Sequence, residues 1–261
     1  MRRIVRLLLL SMLSLVYPTY AADSEVMVVG ALDFAFKDLT LESPGGGGGG
    51  GQKFNTNLVT LNPGVAIAYK RFYANLNFDK SIDSASTTQI DNSLPSMLTM
   101  SRSDTVLTLG YRPLDSVSLF AGWLSGEIGA YLNGQRNEGG QPTFYTQEIS
   151  YTEKGPFVGF ALSHAFGDKG SISFSVAYAQ LSGNMSQTRY VGGNFPYTQY
   201  TNDNADVKGV SYGLVWTGPL NGSMNYRLGI KSTRYEGDTV GGQPGINEYY
   251  TSLFLGLTNT F

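Results

Sequence analysis

Apolar residues alternate one by one with small or polar ones along most of this chain. In Phe72 to Asp79, Phe72, Ala74, Leu76 and Phe78 fall on one face of an extended segment and Tyr73, Asn75, Asn77 and Asp79 on the other. A period of two is the signature of a β-strand with unlike surroundings on its two faces. The same period predicts strands over about 26–37 (Val28, Leu32, Phe34 and Phe36 on the apolar face), 56–69 (Leu61, Val65, Ile67, Tyr69) and 103–111 (Thr105, Leu107, Leu109, Tyr111). It continues over 157–166 (Val158, Phe160, Leu162, His164, Phe166), 171–178 (Ile172, Phe174, Val176, Tyr178), 209–216 (Val210, Tyr212, Leu214, Trp216) and 224–231 (Met224, Tyr226, Leu228, Ile230). A strand beginning at Val117 leaves two faces open, Leu119/Trp123 or Phe120/Leu124, and a last strand places every second residue from Tyr249 to Leu257 on one face. The segments number ten.

The connections alternate in length. Short turns rich in Gly, Pro, Asp or Asn are expected at 70–71, 112–116, 167–170 and 218–222, and long ones at about 38–55, 80–102, 132–148, 183–206 and 236–247. Strict short–long alternation over an even number of strands predicts an all-β, up-and-down antiparallel transmembrane β-barrel whose tight turns share one side of a membrane. Within the first long connection, Gly45 to Gly51 has no side chains to pack. No Lys-Ser/Thr follows it, so it does not match a phosphate-cradling loop. Leu94 to Met100 is apolar for an exposed connection and is expected to fold back into the barrel mouth.

Arg2, Arg3 and Arg6 precede the apolar stretch Leu7 to Val16, which is too short to span a bilayer, and Thr19-Tyr20-Ala21-Ala22 follows. This is the layout of a signal peptide over residues 1–21, cleaved after Ala21 or Ala22, with the barrel occupying 22–261. Of the 18 Lys+Arg, 3 lie in the leader, leaving 15 against 20 Asp+Glu, a net charge near −5. That balance, without any basic cluster, disfavours nucleic acid as a partner. There is no cysteine, so neither a disulfide framework nor a thiolate metal site is available, and a single histidine, His164, gives little to a metal or cofactor. The 33 glycines, 17 tyrosines and 14 phenylalanines suit tight turns, a crowded lumen and aromatic interface belts.

The final segment, Tyr249-Tyr250-Thr251-Ser252-Leu253-Phe254-Leu255-Gly256-Leu257-Thr258-Asn259-Thr260-Phe261, ends an apolar ladder on an aromatic residue. It resembles the closing strand of single-chain bacterial outer-membrane β-barrels, with Phe261 in the place of the signal that the outer-membrane assembly machinery reads; Asn259 departs from the ladder. The resemblance implies a porin-like barrel in the outer membrane of a Gram-negative bacterium, surrounded by outer-membrane lipid and lipopolysaccharide. A barrel of this size is narrow. Asp33, Asp79, Arg112, Arg227 and Lys231 are expected to face its lumen, bracing the wall as ion pairs or forming a selectivity ring.

Two enzyme families of outer-membrane barrels bear comparison with this chain. Omptin proteases have ten strands and carry Asp/His and Asp/Asp pairs at the external rim, whereas His164 is expected beside Phe166 at the periplasmic end. Lipid A deacylases place Ser two residues after an outward His, whereas this chain has His164-Ala165-Phe166. A general base must reach its nucleophile, so the sequence reading expects no enzyme. It expects a narrow pore or transporter for small solutes, with a structural or adhesive surface barrel as the alternative. For the latter, Phe144-Tyr145, Tyr190, Phe195, Tyr197, Tyr200 and Tyr249-Tyr250 are the recognition candidates, having large rings with polar handles.

Overall fold

A computed structural model describes residues 26–43, 52–82, 85–91, 94–138, 141–192, 196–238 and 245–261. Its strands are β1 (Val26–Ser43), β2 (Gln52–Tyr69), β3 (Phe72–Ser81), β4 (Ala85–Asp91), β5 (Leu94–Leu114), β6 (Val117–Glu138), β7 (Gln141–Ala165), β8 (Ser171–Val191), β9 (Tyr197–Asn221), β10 (Met224–Gly237) and β11 (Asn247–Thr260). All pairings are antiparallel, and except between β3 and β4 each strand pairs with its neighbours in sequence order. β1 pairs with β11, from Val29 opposite Thr260 to Glu42 opposite Asn247, and this pairing leaves neither strand as a free edge. β3 and β4 pair with successive stretches of β5, Ser103 to Tyr111 and Leu94 to Met100, so together they fill one position in the wall. The result is a closed ten-stranded up-and-down barrel. The expected signal-peptide segment and the polyglycine run lie outside the described residues.

One end carries the tight turns. Lys70 adopts a positive φ of 55° and Gly222 one of 54°, conformations that reverse the chain between adjacent strands in two residues. Gly167–Lys169 forms a single 3-10 turn between β7 and β8. The turns at 112–116 and 218–222 prove tighter than the sequence suggested, because strand pairing continues to Leu114 opposite Val117 and to Asn221 opposite Met224.

The larger correction lies at the other, loop end. Much of the length of the expected long connections is strand: β6 and β7 stay paired out to Glu138 opposite Gln141, and β8 and β9 to Val191 opposite Tyr197. Leu94 to Met100 is likewise wall, not a plug, with Leu98 and Met100 pointing inward and Met97 outward.

The strand faces explain both findings. Toward the turn end the outer face is a continuous apolar band that includes Phe34, Phe36, Ile67, Leu109, Leu162, Phe174, Leu228 and Leu255. An exposed apolar surface of this extent is a membrane-facing one. The open choice on β6 resolves with Leu119 and Trp123 outward and Phe120 and Leu124 inward. On the loop side the band stops at a belt of outward polar residues, among them Asp38, Lys80, Glu127, Lys154, Gln180 and Lys208. Beyond the belt the pattern inverts. Outward positions become mostly polar, interspersed with Met97 and exposed aromatics such as Phe144 and Tyr200, while Leu39, Leu41, Phe54, Leu98, Met100, Leu132, Ile149 and Tyr151 turn inward and pack into one core.

Candidate functional site

Two places concentrate chemistry: a charged layer inside the barrel at the height of the belt, and a groove on the outer wall just beyond it. Arg102 on β5 is the centre of the first. Its guanidinium is 1 % exposed and ion-pairs with Asp104 at 2.8 Å, Glu153 on β7 at 2.9 Å, and Glu248 on β11. Its other partner is the ring of Tyr250, 4.5 Å from the guanidinium carbon to the ring centroid. Lys37 on β1 pairs with Asp79 on β3 and lies 3.8 Å from Asp104. With its amide turned to suit its neighbours, Asn62 donates to both oxygens of Asp79, at 2.9 and 2.8 Å. Six barrel positions, β1, β2, β3, β5, β7 and β11, are thereby tied together across the lumen.

Glycine makes the layer possible. A Cβ on Gly126 would stand 2.7 Å from Asp104 Oδ1 and 3.2 Å from Glu153. Nearer the turn end, Arg227 on β10 reaches Asp33 on β1 at 2.9 Å and stacks 5.3 Å from the Phe254 centroid. Gly256, between them on β11, leaves the space that the Asp33 carboxylate fills.

Of the five lumen charges expected from sequence, Asp33, Asp79, Arg227 and Lys231 lie buried inside the barrel. Asp33 and Arg227 meet each other, and Asp79 meets Lys37. Lys231 is within electrostatic reach of Lys37, Asp104, Asp79 and Arg102, but its Nζ has no hydrogen-bond partner. Arg112 sits apart, near the tight turn after β5, with its guanidinium 5.5 Å from the Tyr73 ring. The sequence reading missed Lys37, Arg102, Asp104, Glu153 and Glu248. Lys37 and Asp104 lie within expected strands, opposite the apolar face, whereas Arg102, Glu153 and Glu248 fall outside the segments whose parity was assigned; each occupies an inward position when the parity of its own strand is extended.

Inward apolar side chains fill the lumen beyond the charged layer. Leu39, Leu98 and Met100 are 0 % exposed and Tyr235 is 1 % exposed. The expected inward lining of mostly Gly, Ala and Ser therefore holds only for the turn-end half. Tyr145 and Tyr250, two of the aromatic recognition candidates, belong to this core. Phe144, Tyr190, Tyr197 and Tyr200 are exposed, and Phe195 lies outside the described residues.

Outside, β5 to β8 carry a groove of about 580 Å³. Its floor is the register row Ser101–Gly129–Ser150–Ser186, four small residues on four adjacent strands. Tyr131 and Glu148 stand on the next row toward the loop end, and no Lys or Arg lines the groove.

His164 lies on the outer face beside the β7–β8 turn, with its ring 4.7 Å from Phe166, which in turn stands 5.6 Å from Trp216. Trp216 Nε1 donates to the Tyr226 hydroxyl at 3.0 Å. Rings with polar handles in this position form an aromatic girdle at the edge of the apolar band.

No family model matches the chain, and no curated protein sequence does. Solved structures do. The outer membrane protease OmpT from Escherichia coli superposes with a TM-score of 0.69 at 11 % identity, over 94 % of this chain and 99 % of OmpT. The translocator domain of the autotransporter NalP from Neisseria meningitidis gives 0.51 at 12 % identity, over 89 % and 88 %. The chain has the fold of the bacterial outer-membrane β-barrels. The similarity also corrects one expectation. Sequence reasoning set an enzyme aside; that exclusion falls, because OmpT is a protease on this same barrel fold.

Proposed function

We propose that this protein is an outer-membrane barrel of a Gram-negative bacterium that works at the cell surface, through the loop-end part of its wall, with its lumen shut. One observation carries this reading: the lumen is filled. In a water-filled pore, inward side chains would be solvated, whereas here the charged layer around Arg102 and the apolar core beyond it are almost wholly buried. In this reading the leader is cleaved on export, lipid and lipopolysaccharide surround the apolar band, the tight turns face the periplasm and the groove faces outward above the lipid. Binding there is compatible with catalysis, since a protease uses the same fold.

The second reading is the narrow pore that the sequence suggested first. Buried polar atoms without protein partners favour it, namely Lys231 Nζ, Glu153 Oε2 and Glu248 Oε2 inside the lumen. Planar-bilayer recordings on refolded protein separate the two. Electrically silent insertion supports the closed barrel, and reproducible ohmic steps establish the pore.

A further inference from the structure

We infer that the charged layer inside the barrel binds a proton, shared between Glu153 and Glu248, and that this proton locks the lumen shut; the inference rests on the closed barrel of the reading above. The charge count is the first argument. Asp79, Asp104, Glu153 and Glu248 supply four negative charges. Lys37 and Arg102 supply two positive ones, and Lys231, within electrostatic reach of the layer, makes three. Three against four leaves an excess of −1 among side chains that are all 8 % exposed or less. The Asp33–Arg227 pair nearer the turn end is neutral and does not change the balance. A buried charge without a counter-charge is costly enough that the group takes up a proton instead.

Geometry selects the carboxyls that hold it. Asp79 has Lys37 and two hydrogen bonds from Asn62, and Asp104 has both Arg102 and Lys37. Glu153 and Glu248 share Arg102 as their cation: Glu153 Oε1 lies 2.9 Å from Nη2, and Glu248 Oε1 meets Nη1. Those two nitrogens are bonded to one carbon, so the carboxyl groups stand side by side. Each keeps a second oxygen, Oε2, that is buried and without a partner. Two like charges in one site do not both persist. A proton on one Oε2 makes it a donor and the other its acceptor, so a single hydrogen bond satisfies both oxygens and neutralises the layer. The hydroxyls of Tyr151, Tyr235 and Tyr250 also face the pair, and they stay neutral below about pH 10.

Losing the proton releases the layer. Hydroxide takes it up as water and leaves two adjacent carboxylates that only solvent can separate. Tyr250 carries the change onward, because its ring lies 4.5 Å from the Arg102 guanidinium carbon and 6.3 Å from the Tyr235 ring in the apolar core. Hydrating the layer therefore loosens the core that closes the lumen beyond it. The lumen is shut at neutral pH and opens toward alkaline pH.

The test begins with the carboxyl C=O band in infrared spectra of the folded protein in ester-free detergent. Surface acids are ionised at neutral pH, so a protonated-carboxyl band that shifts in heavy water marks a buried acid. It is expected in the wild-type protein and absent from both Glu153→Gln and Glu248→Gln, in which three positive charges meet three negative ones. Asp38→Asn, on the outer belt, should leave it in place. Heat-modifiable gel mobility confirms that each variant is folded, and the wild-type spectrum decides without any variant. No band in the wild type, or a band surviving in either glutamine variant, overturns the shared proton. Planar-bilayer recordings at rising pH test the lock. The wild type should be silent at neutral pH and show conductance steps as the band disappears, whereas Glu153→Gln, with no proton to lose, stays silent. A band persisting to about pH 10, silence after its loss, or steps in both proteins alike overturns the lock. Steps already present at neutral pH remove the closed-barrel reading itself.

Discussion

Phe36 and Leu39 stand three residues apart on β1 and face opposite sides of the barrel wall, Phe36 66 % exposed on the outside and Leu39 wholly buried within. The even-numbered apolar positions of β1, Phe34 and Phe36, give way to the odd-numbered Leu39 and Leu41 as the strand leaves the band. β5 switches between Leu98/Met100 and Leu107/Leu109 in the same way, and β7 between Ile149/Tyr151 and Phe160/Leu162. The solvent explains the switch. In lipid the outer face must be apolar, whereas in water the apolar face must turn inward.

That inversion predicts opposite responses on the two sides of the belt. Leu228→Arg, on the apolar band, should cost roughly 2–4 kcal/mol if near the bilayer midplane. Thr40→Arg, outward but beyond the belt, should cost almost nothing. Leu39→Ala, inward at nearly the same height, should cost about 2–5 kcal/mol through the cavity it leaves. Urea titrations of the protein folded in lipid measure all three, and an expensive Thr40→Arg would place the band's edge wrongly.

The inversion also sets what could be read from sequence. In β3, β8 and β10 the apolar parity persists through the band, so strand, face and tight turn were all legible. At the belt, one strand carries two opposite parities in succession, and the break at Asp38 reads as the start of a loop. Ser101-Arg102-Ser103-Asp104 shows the effect on the site. Arg102 stands just before the segment whose outward face is Thr105, Leu107 and Leu109, so only an extension of that parity across the polar Ser101-Arg102-Ser103-Asp104 run turns it inward. Its partners Glu153 and Glu248 come from strands 51 and 146 residues away, so only the closed barrel brings them together.

Arg102 should be the most sensitive charged position. Arg102→Met leaves Asp104, Glu153 and Glu248 buried without their shared cation, and breaking a buried pair in this way costs on the order of 3–5 kcal/mol. Restoring charge balance tests the cause. Adding Glu153→Gln and Glu248→Gln to Arg102→Met should recover part of the loss in the same unfolding assay, whereas a purely steric role for Arg102 would leave the triple variant as unstable as the single.

Gly256→Ala should destabilise the barrel although it adds one methyl group. The new Cβ would overlap the Asp33 carboxylate and approach the Leu32 carbonyl, so the Asp33–Arg227 pair must shift or separate. Overpacking of this kind costs about 1–3 kcal/mol. Gly222→Ala, at a turn with open space around it, is strained through its φ of 54° alone and should cost less. A larger loss at Gly222 than at Gly256 would mean that turn geometry, not lumen crowding, limits stability.

Every statement about the cell surface depends on which end of the barrel faces out, and the sequence makes that measurable. The chain has no cysteine, so single Cys substitutions label without background. Tyr200, 77 % exposed near the loop end of β9, should label on intact cells with a membrane-impermeant maleimide after Tyr200→Cys. Asp168, exposed in the 3-10 turn between β7 and β8, should label after Asp168→Cys only once the outer membrane is breached. The direction follows from the turns, because outer-membrane barrels keep their tight reversals on the periplasmic side. The reverse pattern, Asp168→Cys labelling from outside and Tyr200→Cys protected, would turn the barrel over. The loop-end part of the wall would then face the periplasm, and the surface-acting reading would fall.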